Sequence, residues 1–249
     1  MTAPAYLDTP SGRRLAYHRL PGKGPGVVFL GGFMSDMEGT KARHLETWAR
    51  GCGRSFLRFD YSGHGQSSGA FADGCIGDWA QDAGAALSAL TEGPQVLVGS
   101  SMGGWIALLL ARALPERVVG MVGIAAAPDF TEDSMWAGFA RDQRAALMAD
   151  GRIEIPSGYA DSPYTITRRL IEEGRENLVL RDPLRLPFPV RLLQGTADED
   201  VEMTTALRLL AHIDCADARL TLVKGADHRF SEPADLALVE QAITEILPD

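Results

Sequence analysis

The chain is poor in cysteine and contains no long apolar run. Its cysteines, Cys52, Cys75 and Cys215, are odd in number and widely spaced, so they form neither a zinc-binding pattern nor a disulfide framework. This usage favours a reducing compartment. No apolar run reaches about 18 residues, and the N-terminal stretch MTAPAYLDTPSGRRL lacks the apolar region of a signal peptide. We therefore expect a cytoplasmic, bacterial-type protein without a membrane span.

Basic clusters and the common phosphate- and metal-binding motifs are also missing. The chain carries 24 basic and 33 acidic residues, a net charge of −9, and no basic run, which argues against nucleic acid as a partner. The glycine-rich stretch from Gly22 to Gly26 lacks the Walker spacing, and no His-Glu-x-x-His or similar ligand cluster is present. The sequence therefore predicts a protein without a cofactor or a bound metal.

Strand-like apolar runs alternate with helical patterns over most of the 249 residues, of which 45% are hydrophobic. We predict strands at residues 5–8, 13–19, 27–30, 55–59, 95–98, 118–124, 190–194 and 219–223. We predict helices at residues 38–50, 76–90, 102–114, 202–213 and 233–247. This alternation predicts an α/β fold, with a mostly parallel sheet covered by helices on both faces and an antiparallel hairpin at one edge.

The alternation stops between residues 129 and 185. Helical patterns at residues 132–149 and 165–173 flank an irregular stretch, 151–163, that is rich in Gly, Ser and Pro. The strands predicted before this segment and those predicted after it are both needed to complete one sheet. We therefore interpret the chain as a single domain, residues 1–249, with a small cap inserted at about 129–185.

A G-x-S-x-G motif, Gly99-Ser-Ser-Met-Gly103, lies between a predicted strand and a predicted helix. In that context the motif is typical of a nucleophile elbow, a sharp turn that presents a serine at the end of a strand. The turn brings neighbouring backbone segments close together, so the residues two before and two after the serine must be small. This requirement centres the motif on Ser101, the candidate nucleophile.

A serine hydroxyl needs a base within hydrogen-bond reach and a group that orients the base. The other histidines lie in the N-terminal hairpin, in a glycine-rich turn or on predicted helices: His18, His64, His44 and His212. His228 follows the last predicted strand. It fits the chain order of nucleophile, acid and histidine, so it is the candidate base.

The acid should follow Ser101 and lie at the end of a strand. Asp198 comes directly after the predicted strand 190–194 and is the first choice, with Glu199 and Asp200 as neighbours that could replace it. Asp129 follows another strand and could also reach the histidine, because a triad is defined by geometry. Asp227 adjoins the histidine and is interpreted as structural.

The oxyanion of a tetrahedral intermediate needs backbone donors. Met102 N–H, directly after the nucleophile, is one candidate. The second is Phe33 N–H, because Gly31 and Gly32 let the backbone approach the site, and Met34 N–H is the fallback. Apolar residues near these segments, on the loop, the elbow helix and the cap, predict a pocket for an acyl group: Met34, Trp105, Met135 and Trp136.

The segments GGFMSDMEGTKA, LRFDYSGHGQSSG, LVGSSMGGW, LLQGTADEDV and GADHRF together resemble α/β-hydrolase superfamily serine hydrolases. More narrowly, Gly39-Thr-Lys-Ala42 and Arg58-Phe-Asp-Tyr-Ser-Gly63 resemble the group that contains the mitochondrial palmitoyl-protein thioesterase, also described as mycophenolic acid acyl-glucuronide esterase, and its bacterial relatives. Within the cap, Ile155-Pro-Ser-x-Tyr159 is similar as well. The chain departs from that group in lacking a mitochondrial transit segment and in having Met102 at the elbow.

The resemblance implies the α/β-hydrolase fold with Ser101 as nucleophile, Asp198 as acid and His228 as base. It implies cleavage of long-chain acyl thioesters and of carboxylic esters, on a small molecule or an acylated protein. Three alternatives stay open: a general short-chain carboxylesterase, a non-catalytic binding protein on the same fold, and an enzyme that uses the same triad for acyl transfer or C–C bond hydrolysis. The sequence leaves the oligomeric state open between monomer and dimer.

Overall fold

A computed structural model describes residues 3–156 and 163–247 of the chain. The strands are β1 (Ala5–Asp8), β2 (Arg14–Leu20), β3 (Lys23–Leu30), β4 (Arg54–Phe59), β5 (Gln95–Ser100), β6 (Val118–Ile124), β7 (Arg152–Ile155), β8 (Tyr164–Thr167), β9 (Leu184–Arg185), β10 (Val190–Gly195), β11 (Ile213–Asp214) and β12 (Ala218–Val223). The helices are α1 (Thr40–Gly51), α2 (Ile76–Leu90), α3 (Met102–Ala113), α4 (Arg141–Asp150), α5 (Arg168–Arg175), α6 (Met203–His212) and α7 (Pro233–Ile246).

Within the described residues, one eight-stranded sheet has the order β1-β2-β4-β3-β5-β6-β10-β12. The pairs from β4 to β12 are all parallel, whereas β2 runs antiparallel to both β1 and β4. This arrangement confirms the predicted fold class. The carboxyl ends of the parallel strands meet at one edge of the sheet, where sites in such folds lie.

Both faces of the sheet are covered by helices, as the continuous apolar strands require. In β3, Val28 and Leu30 join the core beneath α2 and α3, whereas Val27 and Phe29 join the core beneath α1 and α7. This alternation follows from the two-residue period of a strand. The helices between successive strands therefore fall on opposite sides of the sheet and leave its carboxyl edge open to the loops.

The segment between β6 and β10 differs from its predicted structure. The expected helix at 132–149 is divided into a π-helical segment, Thr131–Trp136, and α4. The stretch predicted to be irregular contains β7, which pairs antiparallel with β8, so the predicted helix at 165–173 is wrong at its start. Thr167 ends the strand and caps α5, because its side chain accepts a hydrogen bond from Leu170 N–H. Ser157 and Tyr159 of the cap motif lie outside the described residues.

Two short strands, β9 and β11, pair with each other away from the main sheet and were not predicted. Each has two residues, too few for an alternation pattern to be recognised. Among the described residues, none of the helices combines the length and the apolar character needed to cross a membrane.

The turn from β5 into α3 packs directly on the end of β3. A methyl group added at Gly103 would lie 2.0 Å from the carbonyl oxygen of Leu30, and one added at Gly99 would lie 2.3 Å from the carbonyl oxygen of Gly103. Both distances are far below van der Waals contact, and both involve backbone atoms that cannot rotate away. Glycine at these two positions is therefore a steric requirement of the turn.

We expect Gly103→Ala to lower the free energy of unfolding by about 3 kcal/mol, because the added methyl group must push two backbone segments apart. The matched control is Gly138→Ala, since a methyl group at the exposed Gly138 meets no atom within 4 Å. The control should stay within about 0.5 kcal/mol of the wild type. Urea denaturation of the purified variants measures both values, and equal stability of the two variants would contradict the steric argument.

Candidate active site

Ser101 lies at the tip of the turn between β5 and α3 with φ 54° and ψ −119°. A non-glycine residue rarely adopts this conformation, and the surrounding structure must hold it there. Two hydrogen bonds do so: Ser101 N–H donates to the Ile124 carbonyl at 2.9 Å, and its own carbonyl accepts from Ala127 N–H at 3.1 Å. The hydroxyl therefore projects from a rigid turn into the cavity described below.

His228 lies between Ser101 and Asp198. Its Nε2 is 3.2 Å from Ser101 Oγ, and its Nδ1 is 2.9 Å from Asp198 Oδ2. The histidine follows β12, on a loop joined to the loop after β10 by Ala197 N–H, which donates to the Ala226 carbonyl at 3.0 Å. Gly195 lets the two loops approach this closely, because a methyl group there would lie 2.2 Å from the Ala226 carbonyl oxygen.

The Asp198 carboxylate is buried and fully engaged. Besides His228, it accepts hydrogen bonds from Gln194 Nε2 at 2.9 Å and from the backbone N–H groups of Val201 and Asp200 at 2.8 and 3.0 Å. Burial raises the pKa of Asp198, but the hydrogen bonds from His228 and Val201 outweigh it, so the pKa lies below the usual value. The carboxylate is therefore ionised at neutral pH and orients the imidazole.

The rival acids make other contacts. Asp129 is fully buried, and its carboxylate accepts from Val179 N–H at 2.8 Å and Leu180 N–H at 3.0 Å. It also forms an ion pair with Arg181 at 3.1 Å. Burial raises the pKa of Asp129 above its usual value, and the two backbone donors offset only part of this rise. These contacts hold the cap segment after α5 against the end of β6.

The two loop neighbours of Asp198, and also Asp227, lie at different places around the histidine, and an Asp200 carboxylate oxygen comes within 4.8 Å of an imidazole nitrogen. Glu199 is exposed, and Asp200 lines the cavity. Asp227 Oδ1 accepts from Phe230 N–H at 3.1 Å, which supports its interpretation as a structural residue of the histidine loop.

The remaining histidines lie elsewhere and make structural contacts. His64 is buried between aromatic rings, and one of these, Phe71, also contacts the ring of Phe33. The other histidines pair with a carboxylate or a carbonyl: His18 with Glu38, His44 with Glu240, and His212 with the Asp182 carbonyl.

The loop after β3 touches the elbow, as the predicted oxyanion hole requires. A methyl group added at Gly32 would lie 3.4 Å from Ser101 Cβ. Because Gly32 is this close to the serine, the next residue, Phe33, lies at the edge of the site. Met102 is the first residue of α3, where backbone N–H groups point out of the helix and the dipole is positive. The roles of Phe33 and Met102 N–H groups as oxyanion donors stay a prediction.

A cavity of about 700 Å³ opens in front of Ser101 and His228. Two kinds of residue line it. The apolar ones include Phe33, Met34, Ala127, Pro128, Phe130, Met135 and Tyr164. The polar ones include Asp36, Thr40, Lys41, Asp200, Asp227, Arg229, Ser231 and Glu232. The Phe33 ring packs edge-to-face on Phe130 and Tyr164, with centroids 5.6 and 6.2 Å apart, so the loop after β3 and the cap build the apolar wall together.

The structure places two of the four predicted pocket residues, Met34 and Met135, on the cavity wall. It does not bring Trp105 and Trp136 there. Trp105 is fully buried. Its Nε1 donates to the Asn177 carbonyl at 3.0 Å, and its ring packs edge-to-face on the ring of Phe130. Trp136 is covered by guanidinium groups, with Arg175 4.8 Å from its ring centroid.

Phe130 and Tyr164 were missed as pocket residues. Phe130 follows Asp129, which adopts φ 58° and turns the chain back over the site. No sequence signal indicates that turn, because positive φ is uncommon at any non-glycine residue and only a small share of aspartates adopt it. Tyr164 could have been found: the alternating, β-branched stretch Tyr164–Thr167 is typical of a strand.

Among the described residues, one group of side chains brings potential metal ligands within 4.8 Å of one another, Asp198, Asp200 and His228. Both imidazole nitrogens of His228 already have partners, Ser101 and Asp198. A metal ion bound at this cluster would have to displace one of them. The arrangement is therefore suited to moving a proton between Ser101 Oγ and the imidazole.

Comparison with known proteins gives a family and close relatives. A sequence profile of the Alpha/beta hydrolase family matches residues 27–240. The rat protein named palmitoyl-protein thioesterase ABHD10, mitochondrial, is 36% identical over 247 residues, which are 99% of this chain and 83% of the relative. The crystal structure of a protein from Agrobacterium vitis S4, described as a hydrolase, has a TM-score of 0.94 at 40% identity. The mouse alpha/beta hydrolase domain-containing protein 10 has a TM-score of 0.90 at 36% identity, and each of these two structures matches 98% of both chains.

The contacts of the two buried aspartates predict opposite effects of their substitution. Asp198→Asn should slow labelling of Ser101 by a fluorophosphonate probe by about 10³- to 10⁴-fold, because the amide no longer holds the imidazole in the reactive tautomer. Asp129→Asn should leave labelling unchanged and lower the free energy of unfolding by about 1–3 kcal/mol, because two buried N–H donors lose a charged acceptor. Labelling kinetics and urea denaturation measure the two effects. Slow labelling of Asp129→Asn with normal labelling of Asp198→Asn would exchange the two assignments.

Proposed function

The chain belongs to the alpha/beta hydrolase family, and on that basis we propose that it is a serine hydrolase that cleaves acyl thioesters and carboxylic esters through an acyl-enzyme. The observation that carries the proposal is the position of His228, within hydrogen-bond reach of both Ser101 Oγ and Asp198 Oδ2. A serine becomes a useful nucleophile when a base and an orienting acid are arranged in this way.

In the first half-reaction, His228 Nε2 removes the proton from Ser101 as Oγ attacks the acyl carbonyl. Asp198 accepts the Nδ1 hydrogen bond and stabilises the imidazolium that forms. The carbonyl oxygen gains negative charge, and the N–H groups of Phe33 and Met102 donate to it. The imidazolium then gives its proton to the departing alcohol or thiol, which leaves the acyl group on Ser101.

In the second half-reaction, water takes the place of the leaving group. His228 accepts a proton from the water, hydroxide adds to the acyl carbonyl, and Ser101 Oγ leaves with the proton returned by the imidazolium. The free carboxylic acid departs. An ester and a thioester need the same proton transfers, so this machinery serves both.

The apolar wall of the cavity supports an apolar acyl group. Phe33 and Met34 on one side and Phe130, Met135 and Tyr164 on the other offer side chains without charge. Because relatives of 34–38% identity over nearly the whole chain are named palmitoyl-protein thioesterases, we propose a long-chain acyl group on a small molecule or a protein. A non-catalytic binding function is disfavoured, since it would leave the Ser101–His228–Asp198 contacts without a purpose.

We also propose that residues 129–185 form a cap inserted into a single domain. Phe130, Met135 and Tyr164 come from that segment, and all three face the loop after β3 across the cavity. The cytoplasmic location predicted from the sequence stays a prediction, and the relatives are named mitochondrial.

Ser101→Ala should abolish hydrolysis of p-nitrophenyl esters, lowering kcat by at least about 10⁴-fold, because the acyl-enzyme cannot form. The matched control is Ser100→Ala, which removes the neighbouring hydroxyl of the same motif. The wild type and this control should react with a fluorophosphonate probe, detected by intact-mass measurement, and Ser101→Ala should not. Undiminished hydrolysis by Ser101→Ala would refute the proposed nucleophile.

A series of p-nitrophenyl esters and acyl thioesters of rising chain length should show kcat/KM increasing with acyl length. Each buried methylene contributes about 0.8 kcal/mol, so the early steps of the series should each raise kcat/KM severalfold. A profile that is flat or falls beyond short acyl groups would favour the alternative, a general short-chain carboxylesterase.

A further inference from the structure

Lys41 joins α1, the helix that follows the loop after β3, to the loop that carries His228. The residue lies in the first turn of α1, lines the cavity and is half-buried. Its Nζ donates a hydrogen bond to the backbone carbonyl of Arg229. Arg229 directly follows His228 in the chain, so the contact acts one residue from the imidazole.

The histidine loop is held by different contacts on its other side. Gly225 N–H donates to Thr196 Oγ1 at 2.9 Å, and the Ala226 carbonyl accepts from Ala197 N–H at 3.0 Å, which attach the start of the loop to the acid loop after β10. After His228, Phe230 is fully buried and adopts φ 48°. The His228 backbone therefore lies between an attachment to the β10 loop and a strained, buried anchor, and the Lys41 contact falls between them.

The surroundings of the Lys41 amine are acidic on several sides. Charges that act on it come from Asp227 on the histidine loop, Asp198 on the acid loop and Asp235 on α7, with Arg229 as a cation of the same loop. Burial lowers the pKa of Lys41 to about 8, although the carboxylates raise it. An ammonium and a neutral amine both have N–H donors, so the hydrogen bond to the Arg229 carbonyl is available in both protonation states.

We propose that Lys41 is a positioning residue, which holds the Arg229 carbonyl and thereby keeps the His228 imidazole within reach of Ser101 Oγ. The inference rests on the proposed function, because it assigns Lys41 a purpose only if His228 is the base. This positioning role explains why the cationic side chain of Lys41 lines the cavity, although its charge would be better solvated outside. Lys41 takes no proton from the substrate and does not contact the reacting atoms.

The physical effect is on the Nε2–Oγ separation, which is 3.2 Å in the structure. Proton transfer requires about 2.6–3.2 Å between these atoms, so a small displacement of the loop places the imidazole out of reach. A misplacement of about 1 Å can cost about 10²-fold in rate. Loss of the Lys41 contact should therefore reduce turnover far more than substrate binding.

The test compares Lys41→Met and Lys41→Arg with the wild type on p-nitrophenyl acetate, a small ester that needs little of the cavity. Methionine keeps an unbranched apolar stem and removes the donor, whereas arginine keeps a cationic donor. We expect Lys41→Met to lower kcat by about 10- to 100-fold with KM within about twofold, and Lys41→Arg to recover most of the loss. The control is Lys224→Met, because Lys224 precedes the same loop and is exposed; it should behave as the wild type.

A merely structural role is separated from positioning by the melting temperature and by the split between kcat and KM. If Lys41→Met does not fold, Lys41→Leu, which also lacks a donor, takes its place with the same expected loss. Wild-type kcat in a folded Lys41→Met or Lys41→Leu variant, or equal loss in Lys41→Arg and Lys41→Met, would overturn the proposal. Failure of the proposed function is distinguishable, because then the wild type and Ser101→Ala would hydrolyse the ester equally.

Discussion

The close packing of the elbow on the end of β3 is the constraint on which the site depends. Gly103 lies against the carbonyl groups of Leu30 and Gly31, with no room for a side chain. This contact brings the loop after β3 next to Ser101 and leaves the serine at φ 54°, a conformation that the neighbouring strand β6 stabilises through the Ile124 carbonyl. Nucleophile and oxyanion loop are thus placed by backbone contacts, which preorganise the site before substrate arrives.

The base and the acid depend on a second set of backbone contacts, between the loops after β10 and β12. These strands are parallel neighbours, so their carboxyl ends lie side by side. Gly195 allows the loops to touch, and the Asp198–His228 hydrogen bond then joins side chains that are 30 residues apart in the chain. Lys41 adds a connection from α1 on the opposite side of the histidine loop. In this arrangement the histidine loop is attached both to the loop after β10 and to α1.

In the proposed function, acyl selectivity is a property of the cap. The apolar wall is made where Phe130 and Tyr164 meet Phe33, so a segment outside the strand–helix alternation determines what reaches the nucleophile. The side chains proposed for catalysis lie on the turn and loops after β5, β10 and β12, and none of them comes from the cap. Asp129, buried beneath the cap and bound to Val179 and Leu180, connects the two parts of the molecule. It serves cap placement, although its position after β6 made it a plausible acid.

The sequence by itself determined the sheet, its helices and the residues proposed for chemistry, because these follow from local signals. Apolar runs with a two-residue or helical period indicate the elements, and Gly99 and Gly103 mark the elbow. Chain order then placed Asp198 and His228 after the proposed nucleophile, and the structure brings His228 into hydrogen-bonded contact with both Asp198 and Ser101.

Only the tertiary structure decided which aromatic residues face the cavity and which are core. Trp105 and Trp136 had the right type and neighbourhood, but the direction of an aromatic side chain depends on the elements that pack around it: Trp105 donates to Asn177, 72 residues away. Phe130 reaches the cavity through a turn at Asp129 that no local pattern indicates. Lys41 likewise acquires its partner, the Arg229 carbonyl, across 188 residues of chain, because a contact between a helix and a distant loop exists only once both have packed on the same sheet.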